Sequence, residues 1–410
     1  MREPISDIEA RAPDWPVDYI LLKLAARCNI ACTYCYWFRD QTVYDKPKTL
    51  LPEVETALIE KLERHIRTHG LKNFFILFHG GEPLLFGKRR FAALCAQLRD
   101  VEKRCDFKLK LAVTTNGILV DEDWARLFHE HQVGVTISVD GPTDVNDRRR
   151  VDFRGRGTYE RVLRGVAALR GAGLEPGFLA VCDPQVDPGR ICSFFLDEIG
   201  TKQFDILVPD RTHEDPPLPI GDFYTALFDL WHDRYAAEGV HIRFLESIAK
   251  GLLGFESRSE SIGFGPNITT TLHTDGSLES LDVLRIGGDG LTASSFNILT
   301  HELQEARHDP FWREALHASL NLHDTCRACP YHFACGGGHL ASRWSNAKRL
   351  DNPSAHCDEL KKIFQHTWNR IAPDLYFETP AGRVELAQAF PGAMRGSCPP
   401  PNATAFRDAS

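Results

Sequence analysis

The sequence predicts an α/β protein: a parallel barrel, complete or partial, of six β-then-α units, with a small C-terminal domain after it. Three observations predict this. Short apolar runs suited to burial on both faces alternate with amphipathic stretches from residue 19 to about 238. Such units in series give parallel strands joined by right-handed crossovers. Beyond 238 the alternation stops, and Gly-rich segments and a second group of cysteines take over.

The strands are expected at 19–24, 73–78, 108–114, 134–139, 177–181 and 204–208. The helices are expected at 51–68, 88–104, 121–132, 158–171, 188–199 and 220–238. In the first of these, Val54, Ala57, Leu58, Leu62 and Ile66 share one face. A parallel barrel carries its chemistry on the loops after its strands. Those loops hold Cys28, Cys32 and Cys35 after the first strand, His79-Gly80-Gly81-Glu82-Pro83 after the second, and Thr115-Asn116-Gly117 after the third. Downstream lie a helical piece at 244–253, a hairpin-like segment at Thr274-Asp275-Gly276-Ser277, and the second cysteine group. The expected segments are an N-terminal extension (1–17), the barrel (18–238), a cluster-stapled domain (239–371) and a Pro-, Ala- and Gly-rich tail (372–410). No room for a separate leader-binding domain is expected before residue 18.

Composition narrows the function classes. Of 410 residues, 43% are hydrophobic and 25% charged, so the chain can bury a large core. A formal charge of −8 argues against a general nucleic-acid binder. No apolar run reaches membrane length and no signal-peptide core is present, so a cytoplasmic protein is expected. In a reducing compartment, clustered cysteines among the 12 read as metal or cluster ligands sooner than as disulfides.

Three thiolates at C-x3-C-x2-C can hold three irons of a [4Fe–4S] cube and leave one iron open. A structural zinc site is the plainer use of the same residues. The loop has Tyr34 before its third cysteine. With Gly80-Gly81-Glu82-Pro83, Thr115-Asn116-Gly117, Ser138-Val139-Asp140-Gly141-Pro142 and Asn146-Asp147-Arg148-Arg149-Arg150, it resembles the radical S-adenosylmethionine (radical SAM) superfamily. The resemblance implies that the Cys28/Cys32/Cys35 cluster chelates SAM and cleaves it to methionine and a 5′-deoxyadenosyl radical. It implies SAM contacts at Tyr34, His79, Gly80, Gly81, Glu82, Asn116, Ser138 and Arg150. Ser138 and Arg150 would hold the ribose and carboxylate. His79 stands where some relatives carry Gln. An external one-electron donor of flavodoxin or ferredoxin type is implied as well.

Cys326-x2-Cys329-x5-Cys335, then Cys357, resembles the auxiliary-cluster half of the SPASM domain, giving a barrel with a SPASM- or twitch-like C-terminal domain. Gly276 matches that pattern, but Leu281 stands where a cysteine is expected and His339 replaces another. The remaining four cysteines imply one auxiliary [4Fe–4S] cluster; zinc is again the plainer occupant. Asp282, next to Leu281, falls where sulfatase-maturing relatives carry a proposed proton acceptor, and is a candidate general base, with a surface turn carboxylate as the plain alternative. Asp210, at the end of the sixth strand, is a second candidate.

Finer motifs are Leu207-Val208-Pro209-Asp210-Arg211-Thr212-His213-Glu214-Asp215-Pro216-Pro217, Asp275 to Glu279 with Asp282-Val283-Leu284, and Cys335 to His339 with Arg343 and Asn352-Pro353-Ser354. These look like the cyclophane-forming radical SAM/SPASM peptide maturases. That likeness implies a ribosomally made precursor peptide as partner. It implies abstraction of a β-hydrogen and a carbon–carbon bond between that carbon and an aromatic ring within a three-residue motif. A sulfatase-maturase-like oxidation to formylglycine is the alternative, against which the missing second cluster argues. Epimerisation, hydroxylation and thioether formation stay open, as does a non-catalytic iron–sulfur peptide-binding protein.

Overall fold

A computed structural model describes residues 5–256, 261–379 and 382–385. Cys398 and residues 386–410 of the expected tail lie outside the described residues. The described residues pack as two units that interleave along the sequence: those within 1–180 and 266–317, and those within 181–265 and 318–410. Packing therefore divides the chain at other points than the segments read from the sequence, whose boundaries stay an expectation.

The first unit is built on β1 (Tyr19–Ala25), β2 (Asn73–Gly80), β3 (Lys108–Thr115), β4 (Val133–Ser138) and β5 (Gly177–Val181). Neighbours in this series are parallel and paired in register, for example Ile20 with Ile76 and Ile76 with Leu111. Between the strands run α1 (Pro52–His69), α2 (Lys88–Cys105), α3 (Glu122–Glu130) and α4 (Tyr159–Gly171). Local chemistry sets their ends. Pro52 opens α1 and Gly70, at φ 60°, closes it, while the Asp121 side chain caps α3 through the Trp124 amide. An aromatic cluster binds helices to sheet: Phe91 of α2 lies 5.1 Å from Phe78 of β2, and 5.2 and 5.6 Å from Trp124 and Phe128 of α3.

The second unit contains β6 (Gln203–Leu207), parallel to a short β7 (His241–Ile242) that the sequence did not announce. Its α-helices longer than four residues include α5 (Pro188–Ser193), α6 (Gly221–Leu230), α7 (Arg243–Leu252) and α8 (Cys357–Ile371). Both α5 and α6 run on into π-helical turns, Phe194–Ile199 and Trp231–Tyr235. One extra residue per turn shifts the apolar face too little to interrupt a helical pattern, so each pair reads as a single helix in sequence.

The hairpin around Gly276 forms, between β8 (Thr270–Leu272) and β9 (Leu278–Glu279). Its location differs from the expected one. β8 is buried throughout and pairs in parallel with β1, so residues 266–317 complete the first unit. An open edge on β1 would leave a row of backbone donors and acceptors unpaired, and β8 satisfies them. Among the described residues, no helix is long and apolar enough to cross a membrane.

Candidate active site

The loop after β1 carries Cys28, Cys32 and Cys35. Arg27 fixes its base by donating to the carbonyls of Val43 (2.7 Å) and Tyr44 (2.6 Å). Farther on, Ala31–Cys32 pairs antiparallel with Arg150–Val151, placing Cys32 opposite Arg150. Two motifs far apart in sequence thus share one ribbon. The three thiols are half-buried, free of disulfides, and near enough that Cys32 and Cys35 each push the Cys28 pKa up. Burial is the larger cause, raising Cys28 to about 12 and Cys35 to about 11.

The loop after β2 crosses close beneath. The Gly81 and Glu82 amides donate to the carbonyls of Ala25 and Arg27, both at 2.9 Å. A Cβ on Gly80 would overlap the Ala25 carbonyl, and one on Gly81 would lie 2.5 Å from Arg27 backbone, so only glycine allows this crossing. Glu82 is fully buried. Its carboxylate accepts from the Leu84 amide (3.0 Å), the Thr115 hydroxyl (2.8 Å) and the Asn116 amide (2.9 Å), clamping the loops after β2 and β3 together. Burial raises its pKa against those bonds. Asn116 in turn donates to Asn29 at 2.7 Å, beside Cys28.

Ser138 ends β4, and Arg150 is buried twelve residues on. The Arg150 guanidinium donates to the Tyr34 hydroxyl (2.7 Å), which donates to Asp140 (2.8 Å). The Arg149 guanidinium covers the Tyr34 ring at 4.3 Å. Tyr34 therefore organises Arg150 rather than pointing away from the protein.

Asp282 is not a surface turn carboxylate. It is 3% exposed, forms an ion pair with Lys23 of β1, and accepts from the Tyr36 hydroxyl at 2.7 Å. His79 Nδ1 lies 3.1 Å from the same Lys23 ammonium. Burial pushes the Asp282 pKa up, but Lys23, His79 and the Tyr36 hydroxyl together hold it well below the usual carboxylate range. Sequence reasoning missed Lys23 and Tyr36 in this cluster. The signal was present: a lysine inside the apolar run Tyr-Ile-Leu-Leu-Lys-Leu-Ala needs a buried counter-charge.

In the second unit, Cys326, Cys329, Cys335 and Cys357 line one cavity with Tyr331 and Phe364. Cys335 precedes three glycines at φ 63°, 83° and 76°, a path closed to other residues, and Cys357 sits at the start of α8. His339 Nδ1 lies 3.2 Å from Asp210 Oδ1. The finer motif residues anchor backbone: His213 contacts the Pro353 carbonyl at 2.8 Å, Arg343 donates to the Ala318 and Asn352 carbonyls, and Asn352 donates to the Arg343 carbonyl.

The donor sets fit iron–sulfur groups. Both are thiols alone, three in one place and four in the other. Beside the first set, Asn29 Nδ2 and Arg150 Nε are buried without a partner, as donors awaiting an anionic ligand would be. Replacing Gly81 by Ala is expected to push this loop off Arg27 and lower 5′-deoxyadenosine formation about 100-fold, the cost of a displacement near 1 Å at a reacting centre. Replacing Cys329 by Ala is expected to lower iron by up to about one cube and to impair peptide modification. Unchanged iron would remove the auxiliary assignment.

The family described as the radical SAM superfamily matches residues 22–184, the part of the chain that carries the parallel strands β1 to β5 and the three-thiol loop. The chain is similar along most of its length to anaerobic sulfatase-maturating enzymes. It is 24% identical over 377 residues to the cysteine-type enzyme of Clostridium perfringens, covering 87% of this chain and 97% of that one. It is 25% identical over 402 residues to the serine-type enzyme of Bacteroides thetaiotaomicron, covering 88% and 90%. Among solved structures, native anSMEcpe with bound AdoMet and Cp18Cys peptide superposes with a TM-score of 0.75 at 22% identity, over 86% of this chain and 97% of that one.

Proposed function

We propose that the protein is a peptide maturase that oxidises the β-carbon of a residue in a ribosomally made peptide, with an external flavodoxin- or ferredoxin-type electron donor. The observation that carries this reading is the pairing of a three-thiol loop with a buried carboxylate, Asp282, held against Lys23, whose neighbours Tyr36 and His79 adjoin Cys35 and Gly80. When bound, the first cluster and SAM supply a 5′-deoxyadenosyl radical, which removes one hydrogen atom from the peptide. Cys28, Cys32 and Cys35 would hold that cluster, and Cys326, Cys329, Cys335 and Cys357 the auxiliary one. Arg150 suits the SAM carboxylate, because its guanidinium is already fixed by Tyr34. Gly80 and Gly81 let backbone approach the methionine end. Asp282 takes the proton that the substrate loses, and burial of Asp282 and Lys23 keeps water from competing.

Two products are compatible with this start. The relatives' activity supports formylglycine formation from Cys or Ser better. A cyclophane crosslink is favoured by one observation: Leu281, 1% exposed, fills with hydrocarbon the place where a second auxiliary cluster would find a thiolate. Mass spectrometry of a co-expressed precursor peptide separates them. Loss of two hydrogens with an internal crosslink supports the cyclophane, and an aldehyde in one side chain supports the maturase. An unaltered peptide after anaerobic turnover would overturn both.

A further inference from the structure

Lys23 is a buried charge that neither cluster explains. It lies within β1, buried from Ile20 to Ala25, and is itself 0% exposed. Its ammonium meets Asp282 Oδ2, His79 Nδ1 and, at 4.6 Å, the face of the Trp37 ring. The Tyr36 hydroxyl donates to that same Oδ2. Both donors therefore fall on one carboxylate oxygen, and among the described residues Oδ1 of Asp282 accepts no hydrogen bond. Because an ammonium only donates, His79 Nδ1 accepts here and the imidazole carries its hydrogen on Nε2. The other charged groups nearby are matched among themselves: Arg285 binds Asp40 and Glu279, and Lys46 binds Asp275 and Glu279.

We infer that Lys23 is a positioning residue for proton removal: with Tyr36 it clamps Oδ2 of Asp282, leaving Oδ1 as the ionised acceptor, and it fixes the tautomer of His79. The inference deepens the peptide-oxidation reading and rests on it. In the step concerned, a C–H, S–H or O–H bond of the substrate radical breaks, and a ring C=C, C=S or C=O bond forms. The proton forms an O–H bond on Oδ1, and the electron passes to an iron–sulfur cluster as one-electron acceptor. A substrate losing that electron is strongly acidic, so a weak base that is always ionised suits the task better than a strong base that is half protonated.

The test compares Lys23→Met with Lys23→Arg in the reconstituted holoenzyme, reading modified peptide per 5′-deoxyadenosine from pH 6 to 9. The wild type is expected to show no acid limb from Asp282. In Lys23→Met, burial without the ammonium raises the Asp282 pKa, so the ratio falls as pH falls, by about tenfold per unit below that pKa. Lys23→Arg keeps the charge and is expected to show no such limb. Infrared difference spectra supply a second readout: a carboxylic-acid C=O band is expected in Lys23→Met and absent from Lys23→Met/Asp282→Asn. Should Lys23→Met fail to fold, Lys23→Gln is read in the same way. A pH-independent ratio without the acid band, or an equal acid limb in Lys23→Arg, would overturn the inference. If the wild type modifies no peptide, the functional reading fails, while the infrared comparison still decides whether Lys23 sets the state of Asp282.

Discussion

Replacing Cys32 by Ala is expected to reduce 5′-deoxyadenosine formation to background and lower bound iron by up to about one cube, because two thiolates cannot hold a cluster that needs three here. The fold should survive. Cys32 is half-buried, and its backbone is held by pairing with Arg150 rather than by its side chain. Anaerobic turnover with SAM and dithionite, with iron measured alongside, checks this. Wild-type amounts of 5′-deoxyadenosine from the variant would mean that the loop does not hold the SAM-cleaving cluster.

The largest effect on stability is expected at Arg285, which is 1% exposed. It donates to Asp40 and to Glu279 at 2.5 Å each, and its guanidinium lies 4.8 Å from the centre of the Trp37 ring. Burial pushes Glu279 up, yet His273, Arg285 and Lys46 hold it well below the usual range, so it is ionised in the fold. Arg285→Met leaves the buried Asp40 without a cation and Glu279 with Lys46 and His273 alone, and is expected to cost about 3–5 kcal/mol. Urea denaturation of the reconstituted protein measures it. The triple variant Arg285→Met/Asp40→Asn/Glu279→Gln removes the stranded charges with their partner and should recover part of the loss. A midpoint for Arg285→Met equal to wild type would show that the network is solvated.

How much of this was legible depended on range. The strands at 19–24, 73–78 and 177–181 and the helix at 51–68 were readable because their periodicity is local, and the observed bounds move by a residue or two. The two cysteine groups could be picked out because their spacing is visible in the chain itself, and their role as cluster ligands belongs to the proposal above. The partners of Asp282 were not, since Lys23 and Tyr36 lie 259 and 246 residues away and only the folded chain brings them together. Asp282 was placed by its neighbour Leu281, not by its surroundings, which is why its burial was missed. His339, set aside as a replaced ligand, proves to lie against Asp210.

The return of β8 to β1 bears on how the chain comes to be made. The first unit stays unfinished until about residue 317 has left the ribosome, since Ile20 awaits Thr270 and Lys23 awaits Asp282. Nascent chains shorter than that expose a hydrophobic strand edge and an ammonium with no counter-ion, a species prone to aggregate or to recruit chaperones. Closing so long a loop is slow, so heterologous yield should depend more on translation rate and temperature than on final stability.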